Sequence, residues 1–257
     1  MSTVLESIVE GVLEDLEARK VSDSELHDRV LAAPAPRDAY AALAAPGTQI
    51  IAEVKRASPS KGALAAITDP TSLAFQYQGA GAAVISVLTE ARRFSGSIED
   101  LIAVRDKVSI PVLRKDFIVT EYQVRESRAI GADLMLLIVA SLDDSQLRDY
   151  QSLAHELGMS VLVEVHDEKE LERAIAADSK IIGVNARNLK TLEINDGAFQ
   201  ALLPLIPDDV IKVAESGISH RAQVADAENY GAKAILVGET LVRAGDPALA
   251  IMTLLGR

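Results

Sequence analysis

The chain has 257 residues, 49% of them hydrophobic, enough to bury a substantial core. Its formal charge of −12 and pI near 4.8 argue against nucleic acid or an anionic membrane as partner, although a local basic pocket could still hold a small anion. The absence of cysteine removes disulfides, thiol nucleophiles and thiolate metal sites, and acids in MSTVLESIVEGVLEDLEARK run against a signal peptide.

Apolar residues at Val4, Leu5, Ile8, Val9, Val12, Leu13 and Leu16 predict an amphipathic helix from Val4 to Lys20. Ser22 with Glu25 reads as a capping box opening a second helix, which ends before Pro34 and Pro36. From residue 49 one unit repeats: apolar strand, polar loop, amphipathic helix, glycine, next strand. The strands are predicted at 49–54, 83–88, 110–113, 133–139, 160–165, 180–184, 210–214 and 234–238. Glycines in QGAGAAV, AIGADL, ELGMSV and NYGAKA sit where a left-handed residue ends each helix. Eight β-α units without a linker predict a single α/β domain, a (β/α)8 TIM barrel, with residues 1–46 as an N-terminal helical extension. The longest apolar run, LMLLIVASL (134–142), is about half a membrane span, so a cytoplasmic protein that crosses no membrane is expected.

Active sites of such barrels lie at the C-terminal ends of the strands. Those ends hold Glu53 and Lys55, Glu90, Lys115, Glu164, Asn185 and Arg187, Glu215 and Ser216, and Gly238. Glu53 and Lys55, two apart in IIAEVKRASPSKG, share one strand face, a puzzle in a run that otherwise reads as buried. Rim residues of any barrel meet solvent, and such a pair could simply neutralise itself. Glu164 is harder to dismiss, because a carboxylate inside LVEV is costly to bury without a partner. Lys115, between aliphatic residues and Phe117, is expected to lose solvation and shift toward a useful acid pKa. ESGI (215–218) and VGET (237–240) follow strands seven and eight, where such barrels commonly bind phosphate, and Gly217 and Gly238 would let the backbone approach it. They could equally be turn formers. His27, His155, His166 and His220 form no pair at metal-ligand spacing, so no metal is expected.

These residues resemble the indole-3-glycerol phosphate synthase family of tryptophan biosynthesis. The likeness lies in IAEVKRASPSKG (51–62), SVLTE (86–90), FSGSIEDL (94–101), PVLRKDFI (111–118), LMLLIVA (134–140), LVEVH (162–166), GVNARNL (183–189) and VAESGI (213–218), in the family's order. It implies a cofactor-free carboxy-lyase acting on one small phosphorylated substrate, in a family that includes monomers. That substrate is 1-(2-carboxyphenylamino)-1-deoxyribulose 5-phosphate, which is closed to the indole with loss of carbon dioxide and water. The resemblance makes Lys115 the general acid at the ribulose carbonyl and Glu164 the acid or base of the later dehydration. Glu53 would tune Lys115, and Lys55 would bind phosphate or a substrate oxygen. Asn185 and Ser216 would position substrate groups, with Arg187 near the carboxylate and Glu215 also against substrate. Phe94, Phe117 and Leu136 would form the aromatic slot; Ser58, Gly217 and Gly238 would receive phosphate, with Glu239 offering only its backbone N–H. Glu239 and Ala186 stand where some relatives carry a serine and another hydroxyl residue. The alternatives are a phosphoribosylanthranilate isomerase-like barrel, disfavoured by the missing cysteine base, and a non-catalytic metabolite-binding barrel.

Overall fold

A computed structural model describes residues 3–64, 67–189 and 191–257, so the first two residues of the extension lie outside the described residues. Eight parallel strands close into a barrel: β1 (Gln49–Val54), β4 (Val84–Leu88), β5 (Val112–Lys115), β6 (Leu134–Ile138), β7 (Ser160–Val165), β8 (Ile181–Asn185), β9 (Ile211–Glu215) and β10 (Ala234–Val237), with β10 returning to pair with β1. The short hairpin β2 (Ala57–Ser58) and β3 (Gly62–Ala63) rises from the loop after β1. Gly81, Gly131, Gly158 and Gly231 all take positive φ at the predicted helix ends.

Alternation sorts the side chains. Ile50, Ala52, Val54, Val112, Val161, Val163, Ile182 and Ile235 pack outward under the helices, while Ile51, Val84, Leu113, Leu134, Leu136, Leu162, Ile181, Val213 and Leu236 fill the barrel interior. Carrying the inward parity of Ile51, Leu113, Leu162 and Val213 two residues further reaches Glu53, Lys115, Glu164 and Glu215. The upper interior is therefore built from acids and a base on the same pleat that holds aliphatic residues below.

Three helices precede the barrel: α1 (Val4–Arg19), α2 (Asp23–Ala32) and α3 (Ala39–Ala44). Thr3 and Glu6 form the complete capping box at the start of α1. At α2 only Ser22 caps, accepting from the Glu25 N–H, because the Glu25 carboxylate turns to Arg29 at 2.6 Å instead. Leu5, Ile8 and Val12 of α1, with Ala39 and Leu43 of α3, are buried in the same cluster as the barrel interior. Arg19 ties α1 down through a two-point contact with Glu126 at 2.8 and 3.0 Å. Glu126 in turn lies 2.8 Å from the fully buried Arg114.

Some strand bounds and several short elements differ from the sequence reading. The predicted third strand, 110–113, lies at Val112–Lys115, because Arg114 faces outward into its own buried carboxylates and does not break the ladder, whose register pairs Leu88 with Lys115. Likewise β8 and β9 each extend one residue further, so Asn185 and Glu215 end their strands and do not follow them. The hairpin β2–β3 and the six-residue α3 are too short to show a pattern that repeats.

Candidate active site

The inward acids fit because their neighbours give way. A Cβ on Gly183 of β8 would stand 2.0 Å from the Glu215 carboxylate, and one on Gly238 would stand 2.5 Å from that of Glu53. Gly238, expected at phosphate, thus also makes room for an acid.

Lys115 is the centre of the charge network. Its Nζ lies 3.0 Å from Glu164 Oε2 and 3.8 Å from Glu215 Oε2. Burial works against its charge, but Glu164, Glu215 and Glu53 together outweigh burial and hold the ammonium above its ordinary pKa. The shift runs upward and not downward as expected, because three acids converge on this lysine and none of them lies near it in sequence. Glu164 shows the mirror image, with burial pushing it up and Lys115 and His166 together holding it well below the usual carboxylate range. Glu215 has no comparable partner. Burial, then the negative charge of Glu164, push it up to about 8 against the pull of Lys115. Its Oε1 is buried with no hydrogen-bond partner.

Glu53 and Lys55 do share a face, with Nζ 3.3 Å from Oε1, and Ser86 of β4 reaches the other Glu53 oxygen at 3.5 Å. Lys55 also lies 5.6 Å from the ring centroid of Phe94. A cavity of about 640 Å³ opens beside this pair, lined among others by Ser58, Arg187, Ser216, Gly217, Gly238 and Glu239. Lys61, Ser60, Thr240 and Arg243 line it too, and none of the four was singled out from the sequence. Lys61 is carried over the mouth by the unforeseen hairpin, and Arg243 by the short helix Glu239–Arg243. The Glu239 carboxylate lies 3.5 Å from Arg243 of its own helix.

Ser216 and Gly217 are both left-handed, at φ 70° and 77°. The conformation costs a serine about 1–2 kcal/mol, and it is held here by Gln223, which donates to the Gly217 carbonyl at 2.9 Å. Asn185 Oδ1 accepts the Arg187 N–H at 2.9 Å, and the Arg187 guanidinium donates to the Leu192 carbonyl, fixing this charge at the rim. A smaller apolar recess adjoins, bounded by Leu5 and Ile8 of α1 with Phe94, Phe117 and Leu189. The two rings stand 6.1 Å apart at 40°.

Leu136 does not join that recess. Register pairs it with Leu162, whereas Ile138 pairs with Glu164, so Leu136 lies one inward layer too deep. Glu90, on the rim in sequence, caps the short helix Ala91–Phe94 by accepting from three of its N–H groups. His166, which the sequence places only at the start of a loop, is buried against two carboxylates, Glu164 Oε1 at 3.3 Å from Nε2 and Glu170 Oε2 at 3.0 Å from Nδ1. A lone histidine at a strand end carries no spacing signal; its partner four residues on, Glu170, was the available clue.

A closed parallel barrel with a buried lysine–carboxylate network beside a cation-lined cavity defines an acid–base enzyme for a small anionic substrate. Solved structures of low sequence identity share the fold: 3-hexulose-6-phosphate synthase from Salmonella typhimurium (TM-score 0.65, 15% identity, 81% of this chain and 97% of that one) and thiamine phosphate pyrophosphorylase from Pyrococcus furiosus (TM-score 0.61, 13% identity, 80% and 93%). The chain belongs to the indole-3-glycerol phosphate synthase family, whose model matches residues 5–254. It is 54% identical to the indole-3-glycerol phosphate synthase of Micrococcus luteus, covering 97% of this chain and 96% of the relative, and 55% identical to that of Mycolicibacterium smegmatis, covering 98% and 94%.

Proposed function

We propose that the network of Lys115, Glu164, Glu53 and Glu215 closes the indole ring of 1-(2-carboxyphenylamino)-1-deoxyribulose 5-phosphate. Family membership supports the reaction, and the observation that carries the assignment of residues is the 3.0 Å contact of Lys115 with Glu164 at the barrel mouth.

The phosphate sits in the cation-lined cavity, held by Lys55, Ser58 and the N–H groups of Gly217, Gly238 and Glu239. The anthranilate ring lies toward Phe94 and Phe117, its carboxylate near Arg187, with Asn185 and Ser216 on the remaining oxygens. As the ring carbon bearing the carboxylate attacks the ribulose carbonyl, Lys115 delivers its proton to the carbonyl oxygen, which becomes a hydroxyl. A raised pKa does not prevent this, because the alkoxide that would otherwise form is more basic than an amine. Carbon dioxide then leaves and its bonding pair restores the aromatic ring. Finally Glu164 takes a proton from the ring carbon beside the nitrogen and that proton passes to the hydroxyl on the adjacent carbon, which leaves as water as the double bond of the indole forms. Glu215, raised to about 8 and so protonated near pH 7, offers a hydrogen bond to substrate from the oxygen that lies 3.8 Å from Lys115.

Residues 1–46 act as an extension of one domain, supported by the burial of α1 and α3 in the barrel's own cluster. We read the chain as a cytoplasmic monomer; no helix among the described residues is long and apolar enough to cross a membrane. Light scattering on the purified chain tests its oligomeric state. The activity has a direct assay, because the product contains indole and the protein contains no tryptophan. Indole fluorescence should appear when substrate is added to the chain, and its absence under conditions where the protein is folded would overturn the reading.

A further inference from the structure

Glu164 is held from two sides. Lys115 of β5 takes Oε2, and His166, two residues on from Glu164, faces Oε1 with Nε2 at 3.3 Å, an ion-pair contact outside good hydrogen-bond alignment. The ring is oriented from behind by Glu170 of the helix Glu168–Ala176, whose Oε2 lies 3.0 Å from Nδ1 and also accepts the His166 backbone N–H at 2.8 Å. Glu170 therefore fixes both the backbone and the ring, leaving Nε2 the nitrogen that faces Glu164. The charged groups around this chain are Glu164 on β7 and Glu170 on the outer helix facing His166, with Lys115 from β5 and Glu215 from β9 facing Glu164.

Resting on the proposed reaction, the consequence is electrostatic. Once Lys115 has given up its proton it is neutral, and Glu164 would be a buried carboxylate without a cation, which would take up a proton and lose its function in the next step. A second cation on its other oxygen prevents that. We propose that His166, oriented by Glu170, is a positioning residue that keeps Glu164 ionised and aimed while Lys115 is deprotonated. Burial opposes the imidazolium, but Glu164 and then Glu170 raise it to about 10, so it remains charged through the neutral range.

The experiment is the pH profile of kcat, read by indole fluorescence, for the full chain and for His166→Gln, His166→Lys and Glu170→Gln. His166→Gln should move the acid limb upward by about one pH unit or more, the shift caused by losing an opposite charge at this range. His166→Lys, which keeps a cation, should restore the limb toward that of the unaltered protein, and Glu170→Gln should move it in the same direction by less. A histidine serving structure alone would lower activity without moving the limb. An unmoved limb in both His166→Gln and Glu170→Gln sinks the proposal, and if His166→Gln does not fold, Glu170→Gln decides. Absence of turnover by the unaltered chain would instead sink the reading of the reaction itself.

Discussion

Single residues set the charge balance of the mouth, and pH exposes it. His166 is raised from an ordinary 6.5 to about 10, so the stability it contributes is complete below about pH 6.5 and is lost as pH rises toward 10. Glu215, raised from 4.5 to about 8, acts in the same direction in a lower window, its contribution complete below 4.5 and gone above 8. Urea midpoints should therefore fall between pH 7 and 10, and fall less in His166→Gln than in the unaltered chain; equal slopes would contradict the placement of the imidazolium. Glu164→Gln removes the ionisable oxygen that the dehydration needs and should lower kcat by about 10²-fold. Near-normal turnover would remove it from the mechanism.

Elements position these residues, and glycines do much of that positioning. Gly183→Ala would push a methyl group into the space of the Glu215 carboxylate. We expect kcat to fall by about 10-fold or more with far-UV circular dichroism unchanged, since small displacements of reacting groups are costly; an unaffected rate would mean that Glu215 swings aside without consequence. In the loop after β9, Gly217→Val forces a branched side chain to φ 77° and should raise KM about 10-fold with little effect on kcat, which steady-state kinetics checks. At this scale the sequence was informative where a period or a glycine marked the element. The eight strands and the helix-ending glycines could be read because buried parallel strands are continuous apolar runs. Glu53, Lys115 and Glu164 stood out as charges within or against such runs. What could not be read depended on partners distant in sequence: the two-residue shift of β5, hidden by Arg114 whose partner Glu126 is 12 residues away, the depth of Leu136, set by register with β7, and the convergence of three acids on Lys115. The hairpin bringing Lys61 to the cavity is too short to leave a periodic trace.

Across the whole molecule, the N-terminal extension completes the barrel through apolar packing and through charge chains, among them Arg19 to Glu126 to Arg114 to Asp116 and Arg37 to Asp133 to Arg105. Arg19→Ala should cost about 1–2 kcal/mol by urea denaturation, a modest loss because the guanidinium is partly exposed and Arg114 still holds Glu126. Because α1 also bounds the recess of Phe94 and Phe117, the same variant should weaken substrate binding before it unfolds the barrel. In this enzyme a lysine clasped by buried acids donates the proton that closes the ring, by our proposal. Its most direct test is kcat of Lys115→Ala, followed by indole fluorescence in protein whose circular dichroism matches the unaltered chain. A fall of about 10²-fold or more is expected; turnover close to that of the unaltered chain would contradict Lys115 as the proton donor.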